Sequence, residues 1–248
     1  MIYLKSPKEI EKILYINKIG AELRQICYDY IRPGIVTLEL EEVVLRYCIK
    51  NNVLSSFKGY KGFPNNICVS VNEEVIHGFP STRVINDGDI VSIDIGLKKN
   101  GYYSDTACTK IVGKVDNISK KLVKVTNECL YKGIEKAIPG NRVYDISAAI
   151  QLHTELMGFD VVREYVGHGV GFAVHEPPKI PNYVSHSINW KLRAGMVIAI
   201  EPILVSGSYD TYVAKNNWTV ITKDHKMSAH FEHSIAITDN GPVILSQL

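Results

Sequence analysis

Apolar residues recur at helical spacing in two early stretches and two later ones, and short β-branched runs lie between them. Ser6-Pro7-Lys8-Glu9 has the form of a capping box with proline at the first helical position, and Ile10, Ile13, Leu14, Ile16, Ile19 and Leu23 follow. The pattern predicts a long first helix that stops near Arg32-Pro33-Gly34. Thr37 is then placed to cap a second helix carrying Leu40, Val43, Val44 and Tyr47 on one side. Further on, a helix begun near Ser119 is expected to end at Ile138-Pro139-Gly140, and Val143 to Leu156 reads as another.

The later stretch repeats the earlier one. Pro33 and Pro139 lie 106 positions apart, and the run Gly88–Asp94 is matched by Gly195–Glu201 at an offset of 107. Two segments sharing one offset point to an α+β fold built twice, each repeat being helix, helix and then antiparallel strands. A pseudo-two-fold axis would bring Asp94 and Glu201, the acidic ends of equivalent strands, toward a shared centre. With no Gly/Ser-rich linker, the chain is expected to be one domain, 1–248, of two related halves, about 1–116 and 117–248. The soft boundary lies near Val115–Ser119, and the halves are expected to share one core.

Composition narrows the function. At 248 residues and 46% apolar content the chain can bury a substantial core. The formal net charge is +2, and the lysines loosely clustered between Lys98 and Lys124 form no run that would suit nucleic acid. No window approaches the ~18 uninterrupted apolar residues of a membrane span. Cys27, Cys48, Cys68, Cys108 and Cys129 are scattered, without a Cys-x-x-Cys pair, which fits a reducing cytosol.

Charged residues inside apolar runs require an account, because a buried carboxylate is costly unless paired or metal-bound. Asp94 ends an apolar run, and Asp105 follows after the hairpin-type reversal Asn100-Gly101, so the two are expected on neighbouring strands. His168 sits in Gly167-His168-Gly169-Val170-Gly171, whose glycines permit close approach to a ligand. Glu201-Pro202 closes the second buried strand. In His230-Phe231-Glu232-His233-Ser234, strand alternation puts His230, Glu232 and Ser234 on one face. Four carboxylates and one imidazole suit manganese, iron(II) or cobalt better than a thiolate-type structural zinc site. Two bridging carboxylates can hold two metals about 3.5–4 Å apart for metal-assisted hydrolysis.

Seven blocks in order, Asn72–Gly78, Gly88–Asp94, Ser104-Asp105-Thr106, Gly167-His168-Gly169, His175-Glu176-Pro177, Ile200-Glu201-Pro202 and Phe231-Glu232-His233, resemble a type I methionine aminopeptidase over nearly the whole chain. The resemblance implies the duplicated pita-bread fold, an antiparallel sheet covered by helices. It implies two divalent ions, from among cobalt, manganese, iron(II) and zinc. Asp94 would bind one, Asp105 and Glu232 would bridge both, and His168 with Glu201 would complete the other. A bridging water or hydroxide would attack the carbonyl after the initiator methionine of a nascent polypeptide, with Glu201 handling protons. His77 and His175 would hydrogen-bond substrate and stabilise the tetrahedral intermediate. Phe57, Tyr60, Phe63, Cys68 and Trp218 match the segments that line the methionine pocket, although Phe57 stands where relatives often have cysteine and Val174 where some have phenylalanine. His230 occupies a variable position and stays outside the expected ligand set.

The nearest rival is a proline-directed aminopeptidase or dipeptidase of the same fold. Such chains usually carry a further N-terminal domain, for which a helix beginning at Ser6 is expected to leave no room. A non-catalytic binding relative is a more distant rival, since such proteins lose ligands and all five positions are filled here. A cytoplasmic monomer is the expectation. With no zinc-finger or proline-rich extension in view, any ribosome contact is expected to come from the folded surface.

Overall fold

In the computed structural model, which describes residues 2–248, the chain forms four α-helices and fifteen strands. The helices are α1 (Pro7–Tyr30), α2 (Leu38–Asn51), α3 (Asn117–Glu135) and α4 (Val143–Leu156). The strands are β1 (Leu54–Ser55), β2 (Cys68–Val71), β3 (Glu74–Ile76), β4 (Ile90–Lys99), β5 (Tyr102–Ile111), β6 (Asp160–Val161), β7 (Gly167–Gly169) and β8 (Glu176–Ile180). They continue as β9 (Val197–Ile200), β10 (Ile203–Val205), β11 (Thr211–Val213), β12 (Val220–Thr222), β13 (Ser228–His230), β14 (Glu232–Thr238) and β15 (Gly241–Ile244). Among the described residues no helix is long and apolar enough to cross a membrane.

The caps explain the helix starts. Ser6 N donates to Glu9 Oε2 at 2.7 Å, as the capping box requires. Thr37 differs from expectation: its hydroxyl turns away to donate to Ser81 O at 3.1 Å, and Glu39 Oε1 accepts from Val36 N at 2.9 Å instead. The third helix starts at Asn117, because the Asp116 carboxylate accepts from both the amide (2.8 Å) and the hydroxyl (2.9 Å) of Ser119.

Nine strands make the main sheet, in the order β1-β4-β5-β14-β9-β7-β8, with β2 also on β4 and β15 on β14. All its pairings are antiparallel. Asn100 (φ 52°) and Gly101 (φ 81°) make the two-residue turn between β4 and β5. Asp94 does not end its strand but sits midway in the ten residues of β4. Alternation accounts for this: Val91, Ile93, Ile95 and Leu97 pack toward α1 and α2, while Asp94 and its even-numbered neighbours face the other side.

The apolar interior is grouped into clusters, and residues of both halves meet in two of them, Ile90 with the α3 and α4 side chains and Ile13 with Val170 and Val197. One cluster joins α1 and α2 to β2 and β4, and another joins α3 and α4 to β9 and β14. Geometry gives the reason: two helices each ~10 Å across cover only about four strands spaced ~4.8 Å. A smaller cluster includes Ile13, Val170, Val197 and Ala236.

Candidate metal centre

Sheet register assembles the site. Asp94 pairs with Ala107, and Ala107 pairs with Glu232. Continuing the β14–β9 register by one residue beyond His233–Ile200 sets Glu201 opposite Glu232. A row Asp94–Ala107–Glu232–Glu201 thus crosses four strands on one face. The next row on that face contains Gly96 opposite Asp105 on one side and Ser234–Ala199–His168 on the other. Asp105 N donates to Ser234 Oγ at 3.3 Å, which ties the two sides together. Small residues, Gly96, Ala107, Ser234 and Ala199, separate the charged ones and leave space above the sheet.

Asp105, His168 and Glu232 offer donor atoms that all lie within 4.8 Å of one another. His168 Nε2 is 3.5 Å from Glu201 Oε1 and 3.8 Å from Asp105 Oδ2. Its Nδ1 is 2.9 Å from Gly169 O, and because a carbonyl only accepts, Nδ1 carries the proton and Nε2 keeps a free lone pair. The flanking glycines serve close approach: a Cβ on Gly169 would run into Pro177 O, and one on Gly167 into Ala199 O.

Burial leaves this group with unmet electrostatic demand. Asp94 Oδ1, Asp105 Oδ1 and Glu232 Oε1 are buried without a hydrogen-bond partner among the described residues. Desolvation raises the Asp94 carboxyl to about 7 and the Glu201 carboxyl to about 8, the latter with a contribution from Asp94. Asp105 and Glu232 are pushed well above the carboxylate range, first by burial and then by their acidic neighbours. Orphaned oxygens, an imidazole lone pair and four mutually repelling carboxyls form a donor set that fits divalent cations.

A cavity of about 180 Å³ opens over the carboxylates. Its apolar wall includes Phe57, Phe63, Cys68 and Trp218, and Tyr60, His77 and His175 line it too. Phe63 meets Trp218 edge-on at 5.2 Å and Phe57 at 6.5 Å between ring centroids. Cys68 lies opposite Asp94 in the β2–β4 register, and burial followed by Asp94 holds its thiol well above its ordinary value, so sulfur remains neutral there. Every residue expected at the metal centre, in catalysis or in the methionine pocket therefore lies on this one cavity.

The sequence model of metallopeptidase family M24 matches residues 11–239. The chain belongs to metallopeptidase family M24. This M24 chain is 49% identical over 248 residues to methionine aminopeptidase 1 of Bacillus subtilis, covering 100% of both. The crystal structure of methionine aminopeptidase from Thermotoga maritima matches it with a TM-score of 0.97 at 45% identity, covering 100% of each chain. A prolidase from Pyrococcus furiosus matches at 0.79 and 25% identity, covering 99% of this chain but 65% of that one. The pita-bread fold common to these proteins is the fold of the M24 chain.

Two histidines beyond His168 complete the polar side of the M24 cavity. His77 adopts a left-handed backbone (φ 56°), uncommon for a residue with a Cβ and of a kind that clusters at functional sites. Burial, then His175 and Lys61, lower its pKa to about 4. The partly exposed His175 ring stacks on Tyr60, with Nδ1 3.1 Å from the phenol oxygen, and lies 4.2 Å from the His168 ring. Its pKa is also lowered, first by desolvation and then by His168 and Lys61.

His230, left outside the expected ligand set, also lines the cavity, with Nε2 3.8 Å from Glu201 Oε2 and no hydrogen-bond partner. Its two-residue spacing from Glu232 was the available signal. The chain breaks pairing at Phe231, yet both side chains reach the same space. Lys61 and Ile76 line it as well, and nothing in their local sequence marks them.

Proposed function

We propose that the protein removes the initiator methionine from nascent polypeptides, with Asp94, Asp105, His168, Glu201 and Glu232 holding two divalent ions. The observation that carries the reading is the meeting of four buried carboxyls and the His168 lone pair at one end of an aromatic- and sulfur-walled cavity. The methionine aminopeptidases it resembles over its full length support that reading over a proline-directed one. When bound, the ions supply Lewis-acid polarisation and lower the pKa of water.

The chain's own residues do the rest. Phe57, Tyr60, Phe63, Cys68 and Trp218 take up the methionine side chain, aromatic edges and a neutral thiol suiting a thioether. Glu201, whose Oε1 lies 3.5 Å from His168 Nε2 in the carboxylate cluster, accepts and returns the proton during attack on the scissile carbonyl. His77 and His175 stay neutral, and a neutral imidazole keeps one N–H to donate to the developing oxyanion. In the tautomer whose Nδ1 accepts from the Tyr60 phenol, that N–H is on Nε2.

The chain acts as one catalytic domain of two related halves, as a cytoplasmic monomer, on substrates whose second residue is small. Cobalt, manganese, iron(II) and zinc all suit its donors, and any ribosome contact uses the folded surface. Release of free methionine from Met-Ala-Ser and Met-Lys-Ser by metal-stripped protein, with each metal added back separately, tests the reading. Metal-dependent cleavage of Met-Ala-Ser alone is expected, and no cleavage with any metal would reject it.

A further inference from the structure

The segment ahead of α1 reaches the site through a buried ion pair. Lys5 Nζ lies 2.6 Å from Glu176 Oε2, and the two side chains are 1% and 3% exposed. Lys5 is itself anchored: its amide donates to Gly195 O at 2.7 Å, and its ammonium sits 5.3 Å from the Phe172 ring centroid. The other Glu176 oxygen, Oε1, accepts from the amides of Phe172 and Ala173, the latter at 3.0 Å. One carboxylate therefore closes the loop 171–176, and His175 is the residue next to it. A Cβ on Gly171 would run into Ile13 Cδ1 and press on Lys5 Cε, so the loop rests directly on α1 and on the lysine stem.

The His175 ring stacks on Tyr60, whose phenol oxygen lies 3.1 Å from Nδ1, and sits tilted at 49° to the His168 ring. These contacts are kept only while the loop backbone holds the His175 Cα in place, so the aim of the ring depends on that backbone. We infer that Lys5 is a positioning residue for His175: it holds Glu176 in the orientation that closes the loop on both amides. Without the ammonium, Glu176 is a buried carboxylate with no cation, and turning outward to water frees the Phe172 and Ala173 N–H groups.

The inference rests on the role proposed for His175, so the test has an arm independent of activity. Lys5→Met keeps the stem and removes the charge. It should lower kcat on Met-Ala-Ser about 10- to 100-fold, as expected of a misplaced catalytic group, with KM changed less than about twofold. In a His175→Ala background the same substitution should add less than about twofold. Equal losses in both backgrounds would overturn the inference. In metal-free protein, ring signals of His175 in ¹⁵N-histidine NMR should move with Lys5→Met while those of His153, on α4, stay; an unmoved His175 would also overturn it. If wild-type protein releases no methionine, the proposed function fails and this arm still answers. Should Lys5→Met not fold, the doubly neutral Lys5→Met/Glu176→Gln variant keeps an acceptor for both amides. It should retain wild-type His175 signals, and displaced signals in that folded protein would count against the inference.

Discussion

The four carboxyls repel one another and resist ionisation, so each is costly to the metal-free fold and valuable to the loaded one. Asp105→Asn or Glu232→Gln removes one carboxyl able to bind metal as an anion, at constant volume. Either should melt at or above the wild-type temperature in chelator, bind manganese poorly by calorimetry and lose at least ~100-fold in methionine release. Full activity in either variant would sink the two-metal assignment. His77→Ala should instead leave metal affinity intact and lower kcat by about 10²–10³-fold, the usual cost of losing an oxyanion donor. Loss of metal in that variant would mean that His77 is a ligand. The acidic residues were legible because charges within apolar runs demand a partner, and His168 because glycines flank it. His230 could be read as sharing a face with Glu232, but its place 3.8 Å from Glu201 could not, because pairing breaks at Phe231 and that contact depends on two separate strands.

At the scale of elements, Gly96 shows how the strand serves the cavity. A Cβ there would run into Ser56 Oγ and the Phe57 ring. Gly96→Ala should therefore cost about 1–3 kcal/mol in urea unfolding, the range for overpacking, and an unchanged midpoint would show that Phe57 can yield. Helices α1 and α4 and the Asn100-Gly101 turn could be read locally, since caps, periodicity and turn dipeptides act within a few residues. The length of β4 could not. Asp94 interrupts the apolar run midway, and only pairing with both β2 and β5 carries the strand past it. Thr37 likewise follows Ser81, 44 positions away, rather than its own helix.

For the whole molecule, burial ties stability to pH with a sign that can be worked out. Asp94 and Glu201, raised from 3.8 and 4.5 to about 7 and about 8, keep protons in the metal-free fold that the unfolded chain has lost. The stability they lend is full below about pH 4 and fades as pH rises through 7 to 8. His77 and His168, lowered from 6.5 to about 4, act the other way, and their contribution is complete above 6.5. The effects oppose each other below pH 6.5, and above it the carboxyls alone count. Melting of chelated protein should thus fall between pH 6.5 and 8, and manganese at 100 times its Kd should restore about 2.7 kcal/mol. A flat profile in chelator would mean that the carboxyls are already ionised in the fold. By itself the sequence determined the helices and the residue types able to bind metal and move protons, because these rest on local periodicity and intrinsic side-chain chemistry. Only the tertiary structure decided the register that aligns Asp94, Glu232 and Glu201 across four strands, the grouping of the core, the contact of His230 with Glu201 and the Lys5–Glu176 link. Each depends on contacts between residues far apart in the chain, and the protonation of the site depends on the water that such packing excludes.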